Sequence, residues 1–343
     1  MPDNPIVVEV TRGPLVESRH RGSLVIASSA GKPLLELGDV SAPVFPRSAV
    51  KALQAIPLVE DGAAAEFGFS DAEIALACSS HNGEPAHVEA AWSMLAKAGL
   101  DESFLECGPQ PPRRDEDLFA LHDAGRQPGR IHNNCSGKHA GMLAVARHMG
   151  VDPRGYSRAD HPVQVRIRRV MEEMAGIALT ADRCGIDGCS LPTWAAPLGA
   201  WARAFVTVAT GSGVSPARAA ALERIRAAVA AHPFMVAGTG RFCTVAMEAT
   251  GPRAFVKTGA EGVFCAALPD AGLGIALKID DGATRASEVL MAEVLLAATG
   301  LTSAARAAIE KLAFPKILNR METAVGEVRL SAEVRARISA AMR

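Results

Sequence analysis

The sequence contains few aromatic residues and no excess of charge of either sign. Aromatic residues make up 4% of the 343 positions, with a single tyrosine, Tyr156, which leaves few rings on which nucleic-acid bases could stack. Thirty-six basic and 37 acidic side chains give a formal net charge of −1, so the chain lacks the global positive field that attracts nucleic acid or anionic membranes. The most apolar stretch, residues 191–202, is too short to span a bilayer. We therefore expect no nucleic acid and no membrane as partners.

The seven cysteines lie at positions 78, 107, 135, 184, 189, 243 and 265. Their number is odd, none forms a C-x-x-C zinc motif, and the N-terminal residues lack the basic and apolar regions of an export signal. These features predict reduced thiols and a cytoplasmic protein. With 49% hydrophobic and 21% charged residues, a chain of this length can bury a substantial core.

Strand-like segments occupy both ends of the chain, and helix-like segments lie between them. β-Branched residues and turn glycines predict strands at residues 6–11, 15–20, 23–27, 33–37, 254–258, 263–268 and 273–279. Apolar periodicity and end signals predict helices at residues 85–98, 136–149, 160–175, 215–231 and 284–299. The pattern favours an α+β fold, in which an antiparallel sheet built from both chain ends is flanked by helices. Residues 1–60 and 236–343 would form this sheet region, and residues 61–235 a mainly helical region inserted into it.

The most informative motif is Pro46-Arg47-Ser48-Ala-Val-Lys51. Pro46 suits the first turn of a helix, which we expect to continue to Ile56, so that Ser48 and Lys51 lie on one face. A serine hydroxyl becomes a good nucleophile when a base takes its proton. A lysine can be that base if burial or a neighbouring cation keeps its amine neutral, which costs about 4.6 kcal/mol at pH 7.

Two further triplets follow this motif in a meaningful order. Ser80-x-Asn82 lies in a polar turn after an apolar helical run, and Lys257-Thr258-Gly259 ends a predicted strand. Each triplet is weak evidence alone. Together, S-x-x-K, S-x-N and K-T-G form the ordered motif set of serine β-lactamases and penicillin-binding proteins. The gap from Ser48 to Ser80 is shorter than is usual in that set.

A second cluster of reactive side chains surrounds two of the cysteines. Asn133-Asn134-Cys135-Ser-Gly-Lys138-His139 opens a predicted helix, and Cys184-Gly-Ile-Asp187-Gly-Cys189-Ser-Leu-Pro is a glycine-rich turn. The first segment is not a phosphate-binding loop, because neither serine nor threonine follows Lys138 and the upstream glycine is missing. Spacing alone leaves both metal binding and free structural cysteines open.

Taken together, four motifs of this chain resemble those of the rhizobial-type, or class 3, L-asparaginases, also labelled asparaginase II. The motifs are Arg-Ser-Ala-Val-Lys, Ser-Ser-His-Asn-Gly-Glu, His-Asn-Asn-Cys-Ser-Gly-Lys-His-Ala-Gly and Asp-Gly-Cys-Ser-Leu-Pro. The resemblance extends from the first predicted strand to the last helix. It implies a serine β-lactamase-like fold, the hydrolysis of L-asparagine to L-aspartate and ammonia, and a homodimer.

The resemblance also implies which residues act. It pairs Ser48 with Lys51 and Ser80 with Lys257 as two serine–lysine tandems. It further implies one Zn²⁺ per subunit, which assists substrate binding and is held by a water and three residues, namely Cys135, Lys138 and Cys189. Lysine is an unusual zinc ligand because it must first lose a proton.

We predict acyl transfer as the chemistry. Neutral Lys51 takes the proton of Ser48, which attacks the side-chain amide carbon, and backbone N–H groups stabilise the oxyanion. Ser80 and Lys257 relay a proton to the leaving ammonia. The sequence leaves open which serine attacks, although Ser48 is favoured because its lysine lies on the same predicted helix.

Four residues are candidates for contacts with the substrate. Asp187 could pair with the substrate ammonium, and Arg47 with its carboxylate. His81 and Glu84 lie beside Ser80 in the sequence and could form further hydrogen bonds. For Arg47, a solvated surface position is an equal alternative, and for His81 and Glu84 the alternative is an ordinary turn.

Three other functions stay open at this point. A β-lactamase or peptidase would use the same serine and lysine, but it predicts an export signal and gives no role to Cys135 and Cys189. A related amidase or glutaminase would differ by about one methylene in its pocket, which is worth only ~1–3 kcal/mol of discrimination. A non-catalytic zinc or thiol sensor would use Cys135, Cys184 and Cys189 and would not need the serines.

Overall fold

The computed structural model describes residues 4–30, 32–297 and 300–343. Its strands are β1 (Ile6–Arg12), β2 (Leu15–Ser28), β3 (Pro33–Leu37), β4 (Pro43–Val44), β5 (Cys184–Ile186), β6 (Pro192–Trp194), β7 (Ala196–Pro197), β8 (Phe255–Thr258), β9 (Val263–Leu268), β10 (Leu273–Ile279), β11 (Lys316–Leu318) and β12 (Ala324–Leu330). Its α-helices are α1 (Lys51–Gln54), α2 (Ile56–Glu60), α3 (Ala63–Glu66), α4 (Asp71–Ala77), α5 (Pro85–Lys97), α6 (Asp115–Asp123), α7 (Ser136–His148), α8 (Pro162–Ala175), α9 (Leu198–Thr210), α10 (Pro216–Ala231), α11 (Pro233–Ala237), α12 (Phe242–Thr250), α13 (Thr284–Ala297), α14 (Ser303–Ala313) and α15 (Ala332–Ala341).

The chain divides into two units. The sheet unit comprises Met1–Ala49, Ala196–Ser212 and Val245–Arg343, and the helical unit comprises Val50–Ala195 and Gly213–Thr244. The helical unit therefore includes residues 50–60, which the sequence-based division placed with the sheet. The sheet unit includes residues 196–212, because α9 packs on the sheet strands β2, β9 and β10.

The antiparallel sheet is built from both chain ends, as predicted. Its strand order is β11-β12-β1-β2-β10-β9-β8, and β3 also pairs with β2. Strand β1 lies against β12, where Val8 is opposite Leu330. The long strand β2 pairs with β1 through its first half and with β10 and β3 through its second half. Helices flank this sheet, which confirms the predicted α+β class.

Helix α9 lies very close to β10 at one small residue. A Cβ atom at Gly274 would lie 2.2 Å from both the Ala202 carbonyl oxygen and the Val206 amide nitrogen of α9. Only glycine leaves room for a helix backbone at this distance. Ala276 is the next residue of β10 on the same face, and it is also small and fully buried.

The helical unit packs α7 against α4 and α5. At the contact with α4, a Cβ atom at Gly137 would lie 2.4 Å from Leu76 Cγ. The first turn of α7 is therefore held directly against the end of α4, which brings the segment after α4 close to the segment before α7. Among the described helices, none combines the length and apolar character needed to cross a membrane.

Two helices begin differently from what the sequence predicted. The helix predicted from Pro46 to Ile56 is instead a 3₁₀ turn, Arg47–Val50, followed by α1 and α2. Arg47 has a left-handed φ of 51°, which an α-helix does not allow. Helix α8 begins at Pro162 after an N-cap at His161 and not at Asp160. The helix predicted at residues 284–299 has its predicted end, Thr299, outside the described residues.

Candidate active site in the helical unit

The turn that follows α4 is fixed from two sides. A capping box at Ser70 starts α4, and the helix ends at Ala77, which leaves residues 78–84 as an irregular segment. The Ser80 amide donates to the Val236 carbonyl at 2.9 Å, and the His81 amide donates to the Asn134 carbonyl at 3.1 Å. Ser80 is thereby held next to the residues that precede α7.

Lys51 reaches this turn from the first turn of α1. Its Nζ atom contacts the Ser79 carbonyl oxygen and lies 3.0 Å from both Ser80 Oγ and Cys135 Sγ. The Lys51 side chain is fully buried. The structure therefore brings Lys51 to Ser80, the serine that sequence reasoning had paired with Lys257.

Burial also shifts the protonation equilibrium of Lys51 towards the neutral amine. It lowers the pKa of the Lys51 amine, and the Lys138 ammonium lowers it further, while the Cys135 and Cys189 sulfurs act in the opposite direction. A neutral amine has two hydrogens and one lone pair. The Ser79 carbonyl can only accept a hydrogen bond, and the Cys135 sulfur can take the second hydrogen. As an ammonium, Lys51 donates to Ser80 Oγ; once neutral, it has a lone pair that can accept the Ser80 hydroxyl proton.

Cys135, Lys138 and Cys189 form a cysteine cluster beside Lys51. Lys138 Nζ donates to Cys189 Sγ at 3.0 Å, and Cys135 Sγ forms a hydrogen bond with Cys189 and lies 3.0 Å from Asn134 Oδ1. The hydrogen bond from Cys135 and the nearby Lys138 hold the pKa of Cys189 well below its usual range, although burial opposes this. Burial lowers the pKa of Lys138, but the two sulfurs raise it by more. The pair is therefore a thiolate beside an ammonium.

These atoms define the possible metal donors. In the part of the chain that the structure describes, no group of three His, Cys, Asp or Glu side chains could hold a metal ion. Cys135 and Cys189 supply two sulfurs that suit Zn²⁺, and Lys138 supplies a nitrogen. Lys138 Nζ lies 3.0 Å from Cys189 Sγ, but the raised pKa of Lys138 opposes the loss of the proton that binding of Zn²⁺ would require.

Asn82, next to Ser80, belongs to a separate polar network. Its amide nitrogen donates to Glu84 Oε1 at 3.0 Å and to the Thr239 carbonyl at 3.1 Å, and its oxygen accepts from Arg241 at 3.1 Å. Gly238 packs directly against this network, because a Cβ atom there would lie 2.4 Å from Glu84 Oε1. The φ of Gly238 is 106°, a left-handed conformation that favours glycine. The network anchors the S-x-N turn to the segment before α12.

Glu84 is almost entirely engaged by the protein. It accepts from the Thr239 amide and hydroxyl, both at 2.7 Å, and from Arg114 at 2.7 Å. Burial alone raises the pKa of the Glu84 carboxyl, but the hydrogen bonds from Thr239, Arg114 and Asn82 lower it by more, to about 2. Its side chain, 5% exposed, therefore positions the turn.

His81 is also engaged on both ring nitrogens. The Gly83 amide donates to His81 Nδ1 at 3.0 Å, so Nε2 carries the hydrogen and donates to Ser136 Oγ at 2.9 Å. Burial lowers the pKa of His81 well below its usual range, and His87, stacked on it, contributes. This neutral imidazole ties the Ser80 turn to the start of α7.

Asp187, the candidate for the substrate ammonium, lies in the turn after β5. Its carboxylate accepts from the Gly188 amide at 2.8 Å, and its carbonyl accepts from the Ser190 amide at 2.9 Å. The turn places Asp187 close enough to Lys138 to raise the pKa of that lysine. The carboxylate is therefore near the cysteine cluster.

The other predicted residues lie in the sheet unit. Arg47 and Ser48 form the start of the 3₁₀ turn, and Lys257 lies buried on β8, opposite Cys265. A Cβ atom at Gly259 would lie 2.8 Å from the Pro46 carbonyl oxygen and 3.2 Å from the Ala49 amide nitrogen. The K-T-G strand end therefore abuts the turn that carries Ser48.

Sequence reasoning missed three contributors to the site. Asn134 contacts Cys135 Sγ through its side chain, Arg241 contacts Asn82 and the Ser80 carbonyl, and Thr239 contacts Glu84. Asn134 lies in a motif that sequence analysis singled out, whereas Arg241 and Thr239 have no motif around them. Their roles follow only from the position of the segment after α11.

The protein is therefore an α+β protein whose antiparallel sheet is built from both chain ends. It has a candidate serine–lysine site, in which a buried lysine contacts a serine. The family model described as L-asparaginase II matches residues 8–330. The chain belongs to this family. A comparison with curated proteins finds no match.

The solved structures to which the chain is similar have low sequence identity to it. Mglu in its native form is 15% identical, with 84% of this chain and 66% of that chain covered and a TM-score of 0.41. A β-lactamase from Mycobacterium bovis is 14% identical over 85% of this chain and 95% of that one, with a TM-score of 0.38. A D-alanine carboxypeptidase from Burkholderia cenocepacia is 14% identical over 85% and 92%, also with a TM-score of 0.38. The chain thus spans slightly less than two thirds of the length of Mglu.

The lowered pKa of Glu84 predicts a specific loss of stability in acid. Because the folded-state pKa of about 2 lies below the ordinary value of 4.5, the carboxylate stabilises the fold fully above about pH 4.5, and this contribution is lost as the pH falls towards 2. The shift corresponds to about 3 kcal/mol. The free energy of unfolding in urea should therefore differ between wild type and Glu84→Gln by about 2 kcal/mol more at pH 7 than at pH 3.

Glu116→Gln is the matched control, since Glu116 also pairs with Arg114 but is 65% exposed. Its effect on the free energy of unfolding should stay within about 0.5 kcal/mol at both pH values. An equal effect of Glu84→Gln at pH 7 and pH 3 would show that the carboxylate does not stabilise the fold through its charge.

Proposed function

We propose that this protein is an L-asparagine amidohydrolase that releases L-aspartate and ammonia through a serine acyl-enzyme. The family supports the reaction class, and one observation carries the chemistry, namely the contact of the buried Lys51 nitrogen with Ser80 Oγ at 3.0 Å. A lysine in this position is suited to accept a serine proton.

In the proposed reaction, the attacking serine gives its proton to neutral Lys51 while its oxygen forms a bond to the side-chain amide carbon. The carbonyl electrons move to oxygen, and backbone N–H groups stabilise that oxyanion. The C–N bond then breaks, and the proton held by Lys51 is relayed through Ser80 and Lys257 to the leaving nitrogen as ammonia forms. Water adds to the ester carbon, the ester bond breaks, and the serine regains its proton.

The two serines have different support. Ser48 is the proposed nucleophile, with Lys51 as its base, as the family resemblance implies. Ser80 and Lys257 are the proposed second tandem, which returns a proton to the leaving ammonia. The contact between Lys51 and Ser80 supports a direct part for Ser80 in proton transfer.

The substrate's charged ends also need partners. We assign its ammonium to Asp187 and its carboxylate to Arg47, whose left-handed backbone, with a φ of 51°, costs of order 1–3 kcal/mol and is typical of a functional position. His81 and Glu84 were candidates for substrate contacts. The hydrogen bonds they already make support a role in positioning Ser80 and Asn82.

Cys135, Lys138 and Cys189 would hold the proposed Zn²⁺. When bound, the ion would assist substrate binding through its positive charge. Zinc analysis of the purified protein should give about one ion per subunit, and Cys189→Ala should retain less than a tenth of it. Cys184→Ala is the matched control, because Cys184 Sγ forms hydrogen bonds with the backbone of Gly185 and Thr193 and is not one of the proposed zinc donors. Equal zinc contents of wild type and Cys189→Ala would contradict this assignment.

The decisive test of the function is the release of ammonia from L-asparagine by the wild type, Ser48→Ala and Ser80→Ala. We expect release by the wild type and background values for both variants. Ser79→Ala is the control, because its buried hydroxyl has no hydrogen-bond partner among the described residues and its main-chain contact with Lys51 is kept. It should stay active.

Other outcomes of this test have clear meanings. Release by Ser48→Ala, with silence of Ser80→Ala, would transfer the nucleophile to Ser80. Release from L-glutamine at a higher kcat/KM would make the protein a glutaminase. Silence of the wild type on both amides would overturn the proposal in favour of a β-lactamase-like hydrolase or a zinc or thiol sensor.

The homodimer and the cytoplasmic location stay predictions. A mass measurement by light scattering checks the homodimer.

A further inference from the structure

A cavity of about 400 Å³ lies in the helical unit between α5 and α6. Helix α5 lines it with Val88, Glu89 and Trp92, whose spacing places them on one helix face, and α6 lines it with Asp117 and Leu121. The side chains that contact Lys51 and Cys189 are not among those that line it. Of residues 78–84 only Gly83 lines the cavity, which does not include Lys51, Ser80 or Cys189.

The wall formed by α6 is loosely packed. None of the nine residues of this helix is buried, and Phe119 is 63% exposed. A helix with so few buried contacts is drawn from the low-stability end of a fold. A ligand can therefore reach the cavity without disrupting the core.

Carboxylates outnumber Lys and Arg side chains among the residues that line the cavity. Glu89 and Asp117 face a single cationic lining residue, Arg126. Asp117 Oδ2 is buried and has no hydrogen-bond partner among the described residues, and the nearest cationic atom, Arg114 Nε, is 3.7 Å away. A buried carboxylate oxygen without a donor is costly unless a ligand supplies one.

Apolar groups complete the lining. The Trp92 indole is 38% exposed, and Val88 and Leu121 lie on the two walls. An aromatic face next to carboxylates is suited to a cation, since the ring attracts positive charge and the carboxylates accept its hydrogen bonds.

We propose that this cavity binds an organic ammonium ion with an apolar body. The ammonium donates to Asp117 Oδ2 and to Glu89, and its body packs against Trp92, Val88 and Leu121. The inference does not depend on amide hydrolysis, so its failure leaves the proposed function unaffected.

Trp92 provides a direct readout. The other two tryptophans, Trp194 and Trp201, are buried, so a ligand in the cavity changes mainly the fluorescence of Trp92. Titration with phenethylamine should give a saturable change that Trp92→Phe abolishes. The neutral analogue 2-phenylethanol should bind at least tenfold more weakly, because it lacks the charge.

Charge-removing variants test the carboxylates. Asp117→Asn combined with Glu89→Gln should weaken phenethylamine binding at least tenfold by calorimetry. Glu116→Gln removes the same charge from the same helix, outside the cavity lining, and should bind as the wild type does. Thermal melting by circular dichroism verifies that each variant is folded. Equal affinities for the amine and the alcohol, an unchanged affinity of the folded double variant, or the lack of a saturable signal would overturn the proposal.

Discussion

Replacing Lys51 by methionine should lower the kcat for ammonia release from L-asparagine by about 10³-fold or more, while the protein stays folded. The Lys51 nitrogen contacts Ser80 Oγ at 3.0 Å, and a positioned general base contributes 10²–10⁴-fold on its own. Methionine has nearly the same length and fills the same buried space, so no large cavity is left. The rate of ammonia release, measured beside a thermal melt, checks both parts.

Two comparisons make this result specific. Lys97→Met removes a lysine that pairs with Glu73 at 2.6 Å, away from the Ser80 turn, and should leave kcat unchanged. Lys51→Arg should also be inactive, because a guanidinium does not lose its proton at working pH. If folded Lys51→Met kept a tenth or more of the wild-type kcat, Lys51 would not be the base.

Gly274→Val should destabilise the protein by about 4 kcal/mol or more, enough to leave little folded protein at 37 °C. The first side-chain atom at this position would lie 2.2 Å from two backbone atoms of α9. Neither the helix backbone nor the strand can move aside cheaply, because both are packed on buried neighbours, and overpacking of this kind costs at the upper end of the usual range. Urea unfolding followed by circular dichroism measures the loss.

Gly199→Ala is the matched control for this helix. Gly199 lies on α9, and no heavy atom described by the structure lies within 4 Å of its Cβ position. Alanine there should be neutral or should stabilise the protein by up to about 1 kcal/mol, since alanine favours a helix more than glycine does. A folded Gly274→Val protein with wild-type stability would show that α9 does not pack on β10 as described.

The sheet could be predicted well because its signals are local. Strands β9 and β10 occupy the predicted residues, since Gly262 directly precedes β9, Gly272 directly precedes β10, and Leu273, Ile275 and Leu277 alternate along β10. The segment from Arg47 was harder. The left-handed φ of Arg47 breaks the helix that Pro46 suggested, and no sequence rule favours arginine in that conformation.

The composition of the candidate site could be predicted, but only part of its pairing could. Ser80, Lys51 and Cys135 were singled out by motifs, yet their mutual contacts depend on three segments that meet only in the folded helical unit. The approach of α7 to α4 at Gly137 decides which side chain Lys51 reaches. Arg241 lies outside every motif. Its role could not be predicted, because its contact with Asn82 joins residues that are 159 positions apart in the sequence.

The pairing of β1 with β12 has a consequence for synthesis on the ribosome. Val8 is opposite Leu330, so one edge of β1 stays unpaired until the chain has been made as far as Leu330. The helical unit draws most of its residues from one stretch, Val50–Ala195, and its contacts are available much earlier. Because a domain can fold once its own residues have emerged, the unit that holds Lys51 and Ser80 can take shape while the N-terminal strand still waits for its partner. During that interval the exposed edge of β1 is the part of the chain most prone to pair with another molecule.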